Sequence, residues 1–244
     1  MKTPSSPFKR AFSLIETVIA IGVLAVLLTG FMIVFAPAAA GIKKAISAQE
    51  ADRLASTLEQ ELVTSRGTDP KPGFNKSFEW LKGSNIANTA LLVYQYRGSL
   101  SSNRTDGTPE PVADASGKRP GVDYSVVSVV RRKSDALFKD DIPSIEGGVY
   151  LAKCKQLVFD SNGQLIAGTA GEIKNPKQNT TPPDPSYKAG PFTNPDEYPE
   201  AVIAFSAEFY SLPGKRAGYF DSAFTANFTK FKNPVFTRNL AVRR

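Results

Sequence analysis

The chain has 244 residues, 41% of them hydrophobic and 22% charged, so beyond an N-terminal segment there is length for one globular domain with its own core. The formal net charge of +7 suits an anionic partner such as nucleic acid or a phospholipid surface. With no histidine and a single cysteine, Cys154, the chain excludes Ser-His and Cys-His nucleophile pairs, histidine metal sites and any intrachain disulfide.

In chain order, Lys2, Lys9 and Arg10 stand ahead of an apolar run from Phe12 to Phe35. That run exceeds the ~20 residues a helix needs to cross the hydrocarbon core. By the positive-inside tendency the short basic side stays cytoplasmic and the bulk of the chain lies outside. The run carries one charge, Glu16. A carboxylate costs about 2.5–3.5 kcal/mol near the bilayer centre even on the gentler insertion scales. No Lys, Arg or His lies between Phe12 and Phe35, so a charged partner must come from outside the segment, unless the side chain snorkels to the interface.

Two processing patterns cut this region at opposite ends. Ala38-Ala39-Ala40 before Gly41 satisfies the small-x-small site of an ordinary secretory signal. Against it stand the length of the apolar run, the internal charge and the helical pattern that follows. The other pattern is KR-A-FSLIE, Lys9 to Glu16, which resembles the N-terminal signal of type IV pilins and of the related pseudopilins of type II secretion. The resemblance covers Lys9 to about Phe35. It implies that a prepilin peptidase cuts between Ala11 and Phe12, that Phe12 becomes the N-methylated terminus, and that Glu16 stands fifth in the mature chain. Ala11 departs from the glycine usual before the cut, but keeps its small size. The family also supplies a partner for Glu16, namely the new α-amino group of a neighbouring subunit in a filament. In that setting a buried ion pair serves as a register device.

From Ala38 to Arg66 the pattern stays helical and becomes amphipathic. Ile42, Ile46, Leu54, Leu58 and Leu62 recur at four-residue spacing, Glu50 is off-pattern, Ala51, Ala55 and Val63 widen the stripe, and Glu59 and Glu61 face solvent. Arg66-Gly67 and Asp69-Pro70 mark its stop. Gly22, Gly30 and Pro37 are the weak points of an unbroken helix, Pro37 above all.

Beyond Gly67 the period turns strand-like. The spans 91–97, 123–133, 148–160, 201–212 and 218–231 are rich in Val, Tyr and Phe, with Phe220, Phe224, Ala226 and Phe228 read as alternation. Asp160-Ser161-Asn162-Gly163 is a hairpin turn rather than a calcium loop, which needs more oxygen ligands than it offers. Spans 99–121 and 170–200, rich in Pro, Gly, Asn and Asp, read as long surface loops. Cys154 alternates with Tyr150 and Ala152 on one strand face and reads as core. The basic end, with Lys230, Lys232, Arg238, Arg243 and Arg244, reads as a lysine- and arginine-blunted edge strand before it reads as a nucleic-acid contact.

These readings add up to an α+β protein: a leader over 1–11, a transmembrane and assembly helix over 12–36, its amphipathic continuation over 37–66 packed on an antiparallel sheet, and a β-rich head over 67–244. The expected role is structural rather than enzymatic, with no cofactor and no metal. What the resemblance implies is a minor pilin or pseudopilin, a single-pass inner-membrane protein that enters a pilus or pseudopilus. Its partners would be prepilin peptidase, other subunits, the inner-membrane assembly machinery and the lipid bilayer, with nucleic acid disfavoured. The alternative is a secreted or tethered β-rich protein released after Ala40.

Overall fold

The computed structural model describes residues 13–64, 73–177 and 188–244. They fall into two units, one ending at Ser47 and the other beginning at Ala48. The predicted cleavage position, Ala11 and Phe12, lies outside the described residues, as do the predicted helix-stop residues Arg66, Gly67, Asp69 and Pro70.

Helix α1, Leu14–Val63, runs through Pro37. Within the second unit it buries Leu54, Ala55, Leu58 and Leu62, each at most 1% exposed. That stripe follows from the four-residue spacing. Two expectations fail at its edges. Val63 is exposed, whereas Glu61 is 5% exposed and faces inward. A carboxylate can sit there because Lys76 Nζ lies 2.8 Å from Glu61 Oε1. The same ammonium donates to the Thr64 carbonyl at 3.1 Å, placing a cation against the negative end of α1.

Lys76 belongs to a helix the period reading passed over, α2, Gly73–Gly83. Phe74, Phe78 and Leu81 give it one apolar stripe, and all three are buried. Ser77 Oγ donates to the Leu62 carbonyl at 2.6 Å, drawing α2 onto the end of α1. At Gly73 a Cβ would come within 2.9 Å of the Val63 carbonyl oxygen, so the close approach requires glycine.

The strands are β1 (Leu91–Asn103), β2 (Pro109–Pro111), β3 (Ser125–Arg132), β4 (Ile145–Phe159), β5 (Leu165–Ala167), β6 (Val202–Ser211) and β7 (Phe236–Arg243), with a short helix α3 (Ala136–Asp141) between β3 and β4. All pairings are antiparallel, along the path β2-β1-β4-β6-β7, with β3 also on β1 and β5 on β4. The four predicted strands 91–97, 123–133, 148–160 and 201–212 coincide with β1, β3, β4 and β6. Arg238 and Arg243 of the basic end lie on β7, an edge strand as expected, while Lys230, Lys232 and Arg244 lie outside it. Asp160–Gly163 is the β4–β5 turn: the Asp160 amide donates to the Gln164 carbonyl at 2.9 Å, and Gly163 takes φ +74°.

The fifth predicted strand, 218–231, is not a strand. It forms successive helical turns, Tyr219–Ala223, Phe224–Asn227 (α4) and Phe228–Lys230. Phe220, Phe224 and Phe228 are buried while Ala226 is exposed, which is a four-residue stripe and not a two-residue one.

Alternation along the strands feeds two cores. Leu91, Val93, Val130, Ala152, Cys154, Phe205, Ala207 and Phe209 join the buried residues of α1 and α2 on one face. Leu92, Tyr94, Tyr96, Val129, Leu151 and Tyr210 meet Phe138 of α3 and the Phe220–Phe228 stripe on the other. Helices therefore cover both faces, and the central strands β1 and β4 carry nearly continuous buried runs.

Neither polar insertion is a plain surface loop. In the first, β1 continues to Asn103 and β2 folds back on it, with Asp106 and Thr108 buried. In the second, Ile173, Phe192 and Tyr198 are 1–3% exposed and join the first core. Residues 178–187 lie outside the described residues.

Candidate functional site

The first unit offers a helix whose apolar surface has no cover. The span Leu14–Ala39 has a mean hydropathy of 2.8 with none of its window buried, so it is long and apolar enough to cross a membrane. Glu16 is its only charged residue. Phe31 and Phe35 stack on its surface, ring centroids 3.8 Å apart. Thr17 and Thr29 return their hydroxyls to the carbonyls of Ser13 and Ala25, hiding two polar groups against the helix backbone.

Glu16 has a partner inside its own segment. The Ser13 amide donates to Glu16 Oε2 at 3.3 Å, and the Ser13 carbonyl accepts from the Thr17 amide at 3.1 Å. Ser13-Leu14-Ile15-Glu16 is thus half of a capping box, in which the carboxylate satisfies an amide the helix leaves open. An S-x-x-E spacing before an apolar run is the sequence signature of this arrangement; the demand for a charged partner had hidden a neutral one.

In the second unit α1 is tied to the head by polar groups on its outer side. Glu50, off-pattern in the apolar repeat, accepts from the Tyr150 hydroxyl at 3.1 Å, and burial together with the Glu50 charge pushes that phenol up to about 12. Asp52 pairs with Arg238 of β7. Arg244 stacks 4.7 Å over the Phe74 ring and donates to the Tyr198 carbonyl at 3.4 Å. Two cations of the basic end are therefore engaged with the protein itself.

The head also buries an ion cluster that no sequence period announced. Arg131, 4% exposed, donates from Nε to Asp141 Oδ2 at 3.0 Å, from Nη1 to Asp106 Oδ2 at 3.1 Å and from Nη2 to Thr108 Oγ1 at 3.0 Å. The Tyr94 hydroxyl donates to Asp141 Oδ2 at 2.6 Å. Arg104 Nη1 lies 2.8 Å from Asp141 Oδ1 but off hydrogen-bond alignment, so that contact is coulombic. Desolvation raises Asp106, but hydrogen bonds from the Thr108 hydroxyl and amide and the charge of Arg131 outweigh it and hold the carboxyl below its ordinary value. Burial, followed by the Asp141 charge, pushes the Tyr94 phenol well up. A third carboxylate, Asp135, lies 3.9 Å from Arg131 Nη1 at the partly exposed edge of the group, and the cluster pins the β1–β2 hairpin to β3 and α3.

Cys154 is 1% exposed, its amide donates to Ser84 Oγ at 2.9 Å, and burial pushes its thiol up to about 12. A thiol so placed is core and not a nucleophile. No group of three or more metal-ligating side chains occurs among the described residues. No family model, no curated protein and no solved structure matches the chain.

Proposed function

We propose that the chain is a type IV pilin-like or pseudopilin-like subunit, a minor one in a pilus or a component of a secretion pseudopilus. It is cut by prepilin peptidase between Ala11 and Phe12 and enters a filament through its N-terminal helix. One observation carries this reading. An uncovered apolar helix, Leu14–Ala39, has its single charge, Glu16, in its first turn, as the last residue of the KR-A-FSLIE motif. Such a helix requires an apolar surround, which lipid supplies before assembly and neighbouring subunits supply afterwards. Glu16 then sits at a depth where a newly made α-amine of a neighbour can meet it. The bulk of the chain is extracytoplasmic and the start of the helix faces the cytoplasm.

The α+β head, an antiparallel sheet with α1 packed on one face, supports the pilin-like architecture. In this reading the role of the head is structural. Its partners are the peptidase, other subunits, the inner-membrane assembly machinery and the bilayer.

The second reading, release after Ala40, rests on the small residues at 38–40. That motif lies within α1. Mass spectrometry of the mature N-terminus decides between the readings. A chain beginning at N-methylated Phe12 is expected; a chain beginning at Gly41 overturns the proposal.

A further inference from the structure

The turn that joins β4 to β5 carries Asn162-Gly163, the one place in the chain where glycine follows asparagine. A backbone amide nitrogen can attack the side-chain carboxamide of the residue before it and close a cyclic imide. Glycine permits this most readily, because it has no Cβ to obstruct the closing ring. The fold leaves the reaction open at this position. Asn162 is exposed, and its side chain makes no hydrogen bond among the described residues. Gly163 is exposed as well, with open space where a Cβ would stand. Elsewhere the reaction is hindered. Asn175, Asn194 and Asn233 precede prolines, which have no amide hydrogen to give up. Asn85 and Asn227 commit their carboxamides to the carbonyls of Cys154 and Ala223, at 2.6 and 2.9 Å. Asn75, Asn88, Asn103 and Asn239 are followed by Lys, Thr, Arg and Leu, whose side chains crowd the approach. Asp106-Gly107 is the aspartyl counterpart, but Asp106 is buried and its carboxylate accepts from the Thr108 amide at 3.0 Å and from Arg131 at 3.1 Å.

We infer that Asn162 is a site of spontaneous modification, with water as the only co-reactant. The Gly163 nitrogen bonds to the side-chain carbonyl carbon of Asn162, the carboxamide C–N bond breaks, and ammonia leaves with the Gly163 amide proton. Water then opens the imide at either carbonyl, giving aspartate or isoaspartate and one new carboxylate. Both products set that charge near Asp160, whose Oδ1 accepts the amides of Asn162 and Gln164 at 2.9 and 2.8 Å. Isoaspartate also inserts a backbone carbon ahead of Gly163, whose amide donates to the Asp160 carbonyl at 3.1 Å. Beyond this turn β5 pairs with β4 through only three residues, Leu165–Ala167, all exposed. The modified turn therefore loosens β5, and the site acts as a timer that opens one edge of the sheet. It lies wholly within the head and stands whether or not the chain enters a filament.

The test holds the full chain in lipid nanodiscs in mildly alkaline buffer and follows its tryptic peptides by mass spectrometry, with an unincubated sample as the blank. Peptide 156–174 contains no other asparagine. It is expected to gain one mass unit and to separate into aspartyl and isoaspartyl forms, the second of which takes a methyl group from S-adenosylmethionine in the presence of an isoaspartyl methyltransferase. Conversion in the native chain is expected to run about tenfold slower than in denaturant, the scale of the net hydrogen bond that Gly163 must release. In the converted chain the Gly168 amide, which donates to the Gln156 carbonyl at 2.7 Å, loses its protection from hydrogen exchange. Asn162→Gln, at an exposed side chain, leaves the fold intact and the peptide unconverted. No gain in the native chain while the denatured chain converts, earlier conversion at another asparagine, or a gain that persists in Asn162→Gln overturns the inference. Unchanged protection of Gly168 in the converted chain overturns the release of β5.

Discussion

Replacing Glu16 by glutamine separates two roles that alanine would merge. The carboxylate accepts the Ser13 amide at 3.3 Å, and a glutamine side-chain carbonyl can accept the same bond. What glutamine removes is the charge. If Glu16 serves only to close its own helix, alanine costs about 0.5–2 kcal/mol and glutamine nearly nothing. If it pairs with the α-amine of a neighbouring subunit in an apolar surround, removing either partner strands the other charge and costs about 3–5 kcal/mol. At about 1.4 kcal/mol per decade, that is a hundredfold to a few thousandfold in the incorporation equilibrium. The assay co-expresses each variant with the wild-type chain and compares, by quantitative mass spectrometry, the variant fraction in sheared filaments with that in the membrane pool. Glu16→Gln and Glu16→Ala are both expected to be cut after Ala11, to accumulate in the membrane and to be depleted from filaments by two orders of magnitude or more. Wild-type incorporation of Glu16→Gln would refute the pairing argument and leave Glu16 as a helix cap.

Further outcomes follow from the head. Arg131→Met leaves Asp106 and Asp141 buried without their main cation and should cost about 3–5 kcal/mol, or about 6–20 °C of melting temperature for a domain of this size, read by circular dichroism; a loss under about 1 kcal/mol would count against the cluster as an anchor. Asp106 is held below its ordinary value in the folded state, so its contribution is present above the unfolded carboxylate value and is lost as pH falls through the lowered one. The melting temperature should therefore drop below about pH 4, and Asp106→Asn should flatten that acid limb. Cys154, with its thiol pushed up to about 12, should resist maleimide at pH 8 in the native chain and react fully in denaturant; rapid native labelling would show that the sheet face is open.

What the sequence made legible depends on whether one period could be told from another. The apolar run at 14–39 needed only length and composition, and the strands β1, β3, β4 and β6 needed only β-branched and aromatic runs bounded by turns. The segment 218–231 reads as a strand because apolar residues four apart satisfy both periods. Phe220, Phe224 and Phe228 all occupy even positions, as a strand face would require. The discriminating positions were Ser222 and Ala226, which a strand would bury on that face and which are exposed. Glu61 failed for the opposite reason. Its spacing from Leu54 and Leu58 placed it on the buried stripe, but its charge argued it outward, and the lysine that resolves the conflict lies fifteen residues on, in α2. The Arg131 cluster was hidden because its members come from β1, β3, α3 and a segment rich in turn residues. The one local pair, Arg131 with the partly exposed Asp135 at 3.9 Å, does not announce the buried contacts of Arg131 to Asp106 and Asp141.

The basic end shows how far net charge by itself can mislead about partners. A formal +7 and five cations after residue 229 invite an anionic ligand, and an extended groove lined by those cations would be the geometry to look for. The fold disperses them instead. Arg238 is turned onto Asp52 of α1, and Arg244 lies on Phe74 of α2 and against the Pro195–Tyr198 turn. Both therefore brace the helices and the second insertion against the sheet edge. Among the described residues Lys230, Lys232 and Arg243 make no side-chain hydrogen bond, ion pair or ring contact, and Lys230 and Arg243 belong to different elements, a 3₁₀ turn and the last strand. Nucleic-acid binding draws its affinity from many phosphate contacts along one track. Cations so divided supply a blunted edge that discourages strand pairing with another chain, which is a structural use of charge and requires no ligand.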